Sequence, residues 1–329
     1  MTLKRQILPP GSVPLCHFPG RAEHGGFFSS PGPRASPGVL LFTGRRTVMK
    51  GSTAPDSLPE IPVTLSMFDP IRIGRDEFGL PLPIRVIYKN LLAAGEPGSG
   101  KSGLMNTLTA HAALSDRSRL VLFDGKQVEL GMWDEVADEF VGPDLDKAII
   151  TLLRLQRVMD NRYAWLRARR RRKIEPADGL TVITAVFDEI ALFSTVLGTE
   201  QQQRLFVTLL RDLVARGRAA CIIVIAATQR PSVDIIPKSL RDLFGYRAAF
   251  RCTSTGSSDI ILGDSLSSQG YDATSILPTS QGAALIIAEG GKPVRIRGDY
   301  LSDAEIDTLA EYAAWKRGKD TGGYPAIAA

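Results

Sequence analysis

The sequence predicts an α/β fold in three layers, with helices on both faces of a mostly parallel sheet. Three observations predict it. Short β-branched runs alternate with longer helical segments from residue 90 onward, the order of β-α-β units. One run, Cys221 to Ile225, is unbroken and apolar, as a strand buried on both faces should be. A glycine-rich stretch, Gly95 to Ser102, lies between another such run and a helix, where a phosphate cradle belongs.

The elements follow in order. Residues 1–60 are rich in Pro, Gly and Ser and carry seven Lys or Arg against three acids; they read as a disordered basic arm. Met49 opens a more structured segment and is a candidate translation start. From Ile61 the pattern is of short strands joined by a turn at GRDEFG. Next come a strand at Asn90–Ala94, the glycine-rich loop, and a helix from Lys101 to about Leu114. A strand RLVLFD ends at Asp124, and a long helix spans about Leu145 to Arg172. The strand TVITAVFDE precedes a helix at about Glu200–Arg216 and the strand at 221–227. After Pro237 come a short helix, the strand YRAAFRC, a small β pair (GAALIIA with PVRIRG) and a final helix from Ser302 to about Arg317.

Composition narrows the function. The 44% hydrophobic fraction suits a globular core, and the net charge of +5 favours polyanionic partners such as nucleic acid or membrane surfaces. Cys16, Cys221 and Cys252 have no metal-ligand spacing, and His17, His24 and His111 form no cluster, so a zinc site is not expected. No apolar run is long enough to span a bilayer, and the N-terminus lacks the apolar region of a signal peptide. The chain alone reads as cytosolic, with no transmembrane segment.

The stretch GEPGSGKS fits G-x-x-x-x-G-K-[ST]. Gly95, Glu96, Pro97, Gly98, Ser99 and Gly100 would wrap backbone N–H groups around the phosphates of ATP, and the helix starting at Lys101 would add its positive end. Lys101 should reach the β- and γ-phosphates, and Ser102 should ligate Mg²⁺. Asp188, at the end of the next apolar strand, suits holding Mg²⁺ through water. Glu189 follows it and is the candidate general base, and the acid pair points to motor-type ATPases. The strand at 221–227 ends on Thr228, Gln229 and Arg230 before Pro231 stops it. In a motor-type sheet the Asp188 strand should neighbour the loop strand, with the 221–227 strand beside them. Gln229 would then present an amide to the γ-phosphate or to the attacking water; a turn-capping Gln is the plainer reading.

In order and spacing, the blocks LLAAGEPGSGKS, LFDGKQVEL, VFDEIALF, ATQRPSVDIIP, GYRAAFRCTSTGSSDIILG and GYDATSILP resemble the FtsK/SpoIIIE family of DNA translocases. The short Arg-rich form is most similar to the Tra-type translocases of actinobacterial conjugative plasmids and integrative elements. The resemblance implies a RecA-like P-loop ATPase spanning residues 61–300, followed by a C-terminal helix and tail at 301–329. It implies a homo-hexameric ring around double-stranded DNA, with ATP and Mg²⁺ as cofactors and Gln229 as sensor. An arginine acting on the neighbouring subunit's site maps to Arg218, with Arg216 and Arg230 as rivals. The family's membrane anchor and DNA-reading winged-helix domain have no counterpart here, so recruitment by a membrane-bound partner stays open. Two alternatives also stand: a related protein-secretion (type VII) motor, and a nucleotide-gated DNA-binding adaptor. The cationic run Arg167–Lys173 is either a solvated helix end or a phosphate contact. For gripping DNA, STGSSD and KSLRD are read as channel loops after the late strands.

Overall fold

The computed structural model describes residues 65–288 and 290–320. The basic arm, Cys16, His17, His24 and Met49 lie outside the described residues. The strands are β1 (Ile71–Asp76), β2 (Pro81–Ile84), β3 (Leu91–Ala94), β4 (Ser118–Phe123), β5 (Glu139–Val141), β6 (Val182–Phe187), β7 (Ile222–Thr228), β8 (Tyr246–Phe250), β9 (Ala283–Ala288) and β10 (Val294–Gly298). The helices are α1 (Lys101–Leu114), α2 (Leu145–Ala168), α3 (Glu200–Arg216), α4 (Lys238–Arg241), α5 (Thr255–Leu262) and α6 (Asp303–Asp320).

All ten strands join one sheet in the order β2-β1-β10-β9-β8-β3-β7-β6-β4-β5. From β5 to β8 the pairing is parallel. From β8 outward, β9, β10, β1 and β2 add antiparallel strands that form a wing. The expected β pair is therefore part of the main sheet. Its outer edge, β2, carries Pro81 and Pro83, which cannot donate to a further strand.

Strand β7 shows why the sheet needs helices on both faces. Ile222, Val224 and Ala226 point into one apolar cluster, with Leu152, Leu155, Leu210 and Leu213 of α2 and α3. Ile223, Ile225 and Ala227 point into the other, with Leu104 and Leu108 of α1 and Ile306 and Ala310 of α6. Strand alternation thus buries every residue of β7. This is the expected three-layer α/β/α, RecA-like architecture.

Local chemistry sets the helix ends. Asp144 caps α2 by accepting from Lys147 N–H at 2.9 Å. Thr199 and Gln202 form a reciprocal capping box at the start of α3. Helix α2 stops at Ala168, short of the expected Arg172. Arg170 turns left-handed at φ 53°, Arg169 stacks over the Trp165 ring, and Arg171 pairs with Glu175 and Asp178. The short helix expected after Pro237 is α4, formed by KSLR, whereas STGSSD, read as a channel loop, is helical: Ser254 caps α5 by accepting from Ser257 N–H. Small hydroxyl residues favour helix starts as well as loops, which explains the difference.

Candidate functional site

The sheet order corrects one expectation. Strand β7 lies between β3 and β6, so the strand carrying Asp188 does not touch the strand that feeds the loop. The end of β7 becomes the centre of the crevice, with the glycine loop on one side and the acids on the other. All three strands run parallel, and their C-terminal ends open together, the usual ligand position in such sheets.

The loop is held by backbone. Gly95 N–H donates to Thr228 O at 3.3 Å, and Glu96 N–H donates to Arg251 O at 2.9 Å. Gly98 and Gly100 adopt φ of 71° and 99°, the region glycine tolerates. No side chain caps α1. Gly103 N–H donates back to Gly100 O at 3.2 Å, which leaves the N–H groups of Lys101 and Ser102 at the positive end of the helix for an anion. Arg251 Nε stands 2.9 Å from Glu96 Oε2 as an ion pair but is not aligned as a hydrogen bond.

A second layer of glycine braces this loop. A Cβ on Gly100 would lie 2.3 Å from Gly282 N and 2.6 Å from its Cα. Gly282 N–H donates to Ser99 O at 3.0 Å, and Gly298 N–H donates to Gly282 O at 2.8 Å. A Cβ on Gly74 would in turn lie 2.2 Å from Arg297 O. Backbone meets backbone from the loop through the turn before β9 to β10 and β1.

Lys101 and both acids are buried, at 6%, 5% and 8% exposure for Lys101, Asp188 and Glu189. Burial lowers the Lys101 pKa, opposed by the negative charge of Glu189 and Asp188. Burial, reinforced by the charges of Asp124 and Glu129, pushes Asp188 up to about 7. Its Oδ2 is buried without a hydrogen-bond partner. A crowded acidic group with an orphan oxygen, whose charge reaches Lys101 of the loop, fits a divalent cation. Asp124 is fully buried; its Oδ1 accepts from Lys126 and Gln127 N–H, and its Oδ2 from Leu130 N–H. It shapes the loop after β4, and among the neighbouring charges it does most to raise the Asp188 pKa.

Glu189 is turned the other way, onto β7. Its Oε1 accepts from Thr228 Oγ1 at 2.7 Å and from Ala191 N–H at 3.0 Å. Its Oε2 accepts from Gln229 N–H at 2.8 Å. Thr228 and Gln229 thus engage the second acid, Gln229 through its backbone N–H rather than its side-chain amide. Sequence reasoning missed Thr228 and Asp124 as functional residues. It also missed Asn90, fully buried, which donates to Val214 O and accepts from Val224 N–H, tying β3 to α3 and β7. The motifs ATQRPS and LFDGKQ contain the first two, but only the strand order gives them partners.

The structure brings Gly95–Ser102, Asp188, Glu189 and Gln229 to one crevice. Arg218 is not among them. It lies in the turn before β7, at the opposite end of that strand, and its Nε donates to Tyr88 O at 2.6 Å. Arg216 is engaged by Asp212 and Asp160. Among the described residues, no helix is long and apolar enough to cross a membrane, and no three or more His, Cys, Asp or Glu gather into a metal-binding group.

Comparison with known proteins finds relatives among DNA translocases. A DNA translocase FtsK of Bradyrhizobium diazoefficiens is 29% identical over 287 residues, covering 74% of this chain and 33% of that protein. That of Staphylococcus epidermidis is 28% identical over 264 residues, covering 74% and 32%. The chain spans about a third of the length of these relatives. Among solved structures, the pCW3 conjugation coupling protein TcpA, in a monomer form with ATPγS, aligns with a TM-score of 0.65 and 19% identity over 79% of this chain and 75% of that one. The cytoplasmic domain of the Thermomonospora curvata type VII secretion ATPase EccC aligns with a TM-score of 0.58 and 20% identity, over 77% and 32%. These two likenesses concern the fold. The FtsK/SpoIIIE family model matches residues 71–269, more than half of the chain, and the chain belongs to the FtsK/SpoIIIE family.

Proposed function

We propose that this chain is an ATP-driven motor that moves double-stranded DNA, working as a homo-hexameric ring in conjugative transfer or chromosome partitioning. One observation carries the reading: the phosphate loop, two differently oriented buried acids and the Thr228–Gln229 strand end meet in one crevice. Family membership supports DNA as the cargo, and the net charge of +5 agrees with it.

Lys101 and the N–H groups of the loop bind the phosphates of ATP. Ser102 and Asp188 would hold Mg²⁺, which neutralises charge on the β- and γ-phosphate oxygens when bound. Glu189 is the general base. A carboxylate offers about four acceptor sites, and three donors occupy Glu189 here. The remaining one is left for the incoming water, and the three bonds hold the carboxylate in one orientation. Gln229 moves with Glu189 through their shared hydrogen bond, so a change at the γ-phosphate reaches the end of β7. Arg218 acts in trans, and its place outside its own crevice suits that role.

The test is hydrolysis with and without duplex DNA, together with ATP-driven displacement of a triplex strand. Wild type should be stimulated by DNA and should strip the triplex with ATP but not with a non-hydrolysable analogue. Lys101→Ala should do neither, and undiminished hydrolysis by that variant refutes the site. Stimulation by a secreted peptide and not by DNA would favour a protein-secretion motor. ATP-independent release would favour an adaptor.

A further inference from the structure

The antiparallel wing presents a face that its own fold does not explain. In the ladder between β1 and β10, Arg75 lies directly opposite Arg297. Arg295 shares the Arg297 face of β10, and all three arginines are exposed. The irregularity in β1 between Arg72 and Gly74 brings Arg72 to the same side, where it pairs with Asp299 at 2.8 Å. The other side of these strands is core, with Ile73, Ile84 and Ile296 buried. Arg295 donates to Ser275 Oγ at 3.1 Å. Among the described residues, none of Arg75, Arg295 and Arg297 has an acid partner.

Like charges placed directly opposite on a ladder destabilise it. Protection of a sheet edge does not account for the arrangement. The edge strand is β2, already blocked by Pro81 and Pro83, whereas β1 and β10 are interior to the sheet. A repulsive pair kept on interior strands implies an anionic partner that offsets the repulsion.

We propose that this open face of β10 and β1 is a contact surface for the phosphates of duplex DNA. The proposal rests on the DNA-motor reading and adds to it where the duplex touches the subunit. Arg295 and Arg297 stand two residues apart, about 6.8 Å along the strand. Phosphates two steps apart on one DNA strand are separated by about the same distance along the helix axis, at roughly 3.4 Å per step. Arg75 sets a third cation about 5 Å to the side. An anionic membrane fits less well. The nearby hairpin tip exposes Phe78 and Leu80, but Asp76 and Glu77 sit beside them and would meet the lipid headgroups.

The experiment uses the full chain with Arg75→Ser and Arg297→Ser combined, and separately with Arg295→Ser. Binding of a fluorescent duplex is measured across a salt series, beside thermal stability, ring formation and DNA-independent ATP hydrolysis. The double variant should bind DNA about tenfold more weakly at low salt. Its plot of log affinity against log salt should be shallower by about one for each arginine removed. Its thermal midpoint should hold or rise, because the repulsive pair is gone, and basal hydrolysis should not change. A merely structural role would lower the midpoint instead.

If wild type binds the duplex and the variants match it in affinity and salt slope, the proposal is overturned while the motor reading stands. Loss of the ring in the double variant would also overturn it, by showing the face to be a subunit interface. If wild type ignores DNA yet binds anionic vesicles through these arginines, both the proposal and the DNA reading fall.

Discussion

Thr228→Val is the sharpest test of how Glu189 is used. The two side chains have nearly the same shape, so the substitution removes one hydroxyl from a fully buried position. That hydroxyl donates to Glu189 Oε1 at 2.7 Å and accepts from Arg230 N–H at 3.3 Å, a longer and weaker bond. A hydrogen bond to a charged group contributes about 1.5–3 kcal/mol. The bonds from Ala191 and Gln229 N–H remain, so Glu189 stays in place but loses one of three constraints on its direction. If the bond aims the carboxylate at water, that energy appears in the barrier, and kcat should fall about 10- to 100-fold. Thr228 meets the phosphate loop through its backbone carbonyl, which accepts from Gly95 N–H and is kept by the substitution, so the affinity for ATP should change little. Steady-state hydrolysis gives kcat, a fluorescent ATP analogue gives affinity, and Thr228→Ser should restore most of the rate. A normal or raised kcat in Thr228→Val, with the protein folded, would refute the idea that this bond orients the base.

The other predictions concern the frame of the site. Gly100→Ala should weaken ATP-analogue binding and lower the thermal midpoint more than Gly98→Ala; both strain a left-handed backbone by about 1–2 kcal/mol, but only the Gly100 Cβ meets backbone, at 2.3 Å. Equal effects in a melting and binding comparison would remove the Gly282 brace. Phe206→Ala should cost about 3–5 kcal/mol, because the ring is fully buried with Phe193 at 5.5 Å and Phe187 at 6.2 Å; the midpoint should fall by roughly 6–20 °C. Asp264 accepts hydrogen bonds from Lys238 and Arg241, which hold its pKa down at about 2. Its contribution to stability is therefore present above the ordinary carboxylate range and lost as pH falls from about 4 toward 2. Asp264→Asn should flatten the acid limb of a stability-against-pH curve over that interval.

Where a feature depends on neighbours in sequence, it was legible in advance. Helices α1 and α3 begin and end where their glycine loop, capping residues and apolar spacing place them. The glycine loop and the acids at 188 and 189 were readable because each motif carries its own strand and helix context. Arg170 defeats the reading of the α2 end: arginine is a good helix former, yet its neighbours found better partners in Trp165, Glu175 and Asp178. The position of β7 between β3 and β6 could not be read, because pairing between distant strands leaves no local mark. The Thr228–Glu189 bond was hidden for the same reason, and with it the part of Gln229 that does the bonding.

The glycine contacts from Gly100 through Gly282 to Gly298 carry a mechanical consequence. Side chains in contact can absorb a small displacement by changing rotamer, but peptide groups in contact have no such slack. Close-packed protein interiors also compress little. A shift of a few tenths of an ångström in the phosphate loop must therefore be passed on to the turn before β9, and from there to the ladder that holds Arg75 and Arg297. A wing so coupled should act as a stiff lever, so that a displacement of the phosphate loop too small to rearrange the core would still be carried to the sheet's outer strands.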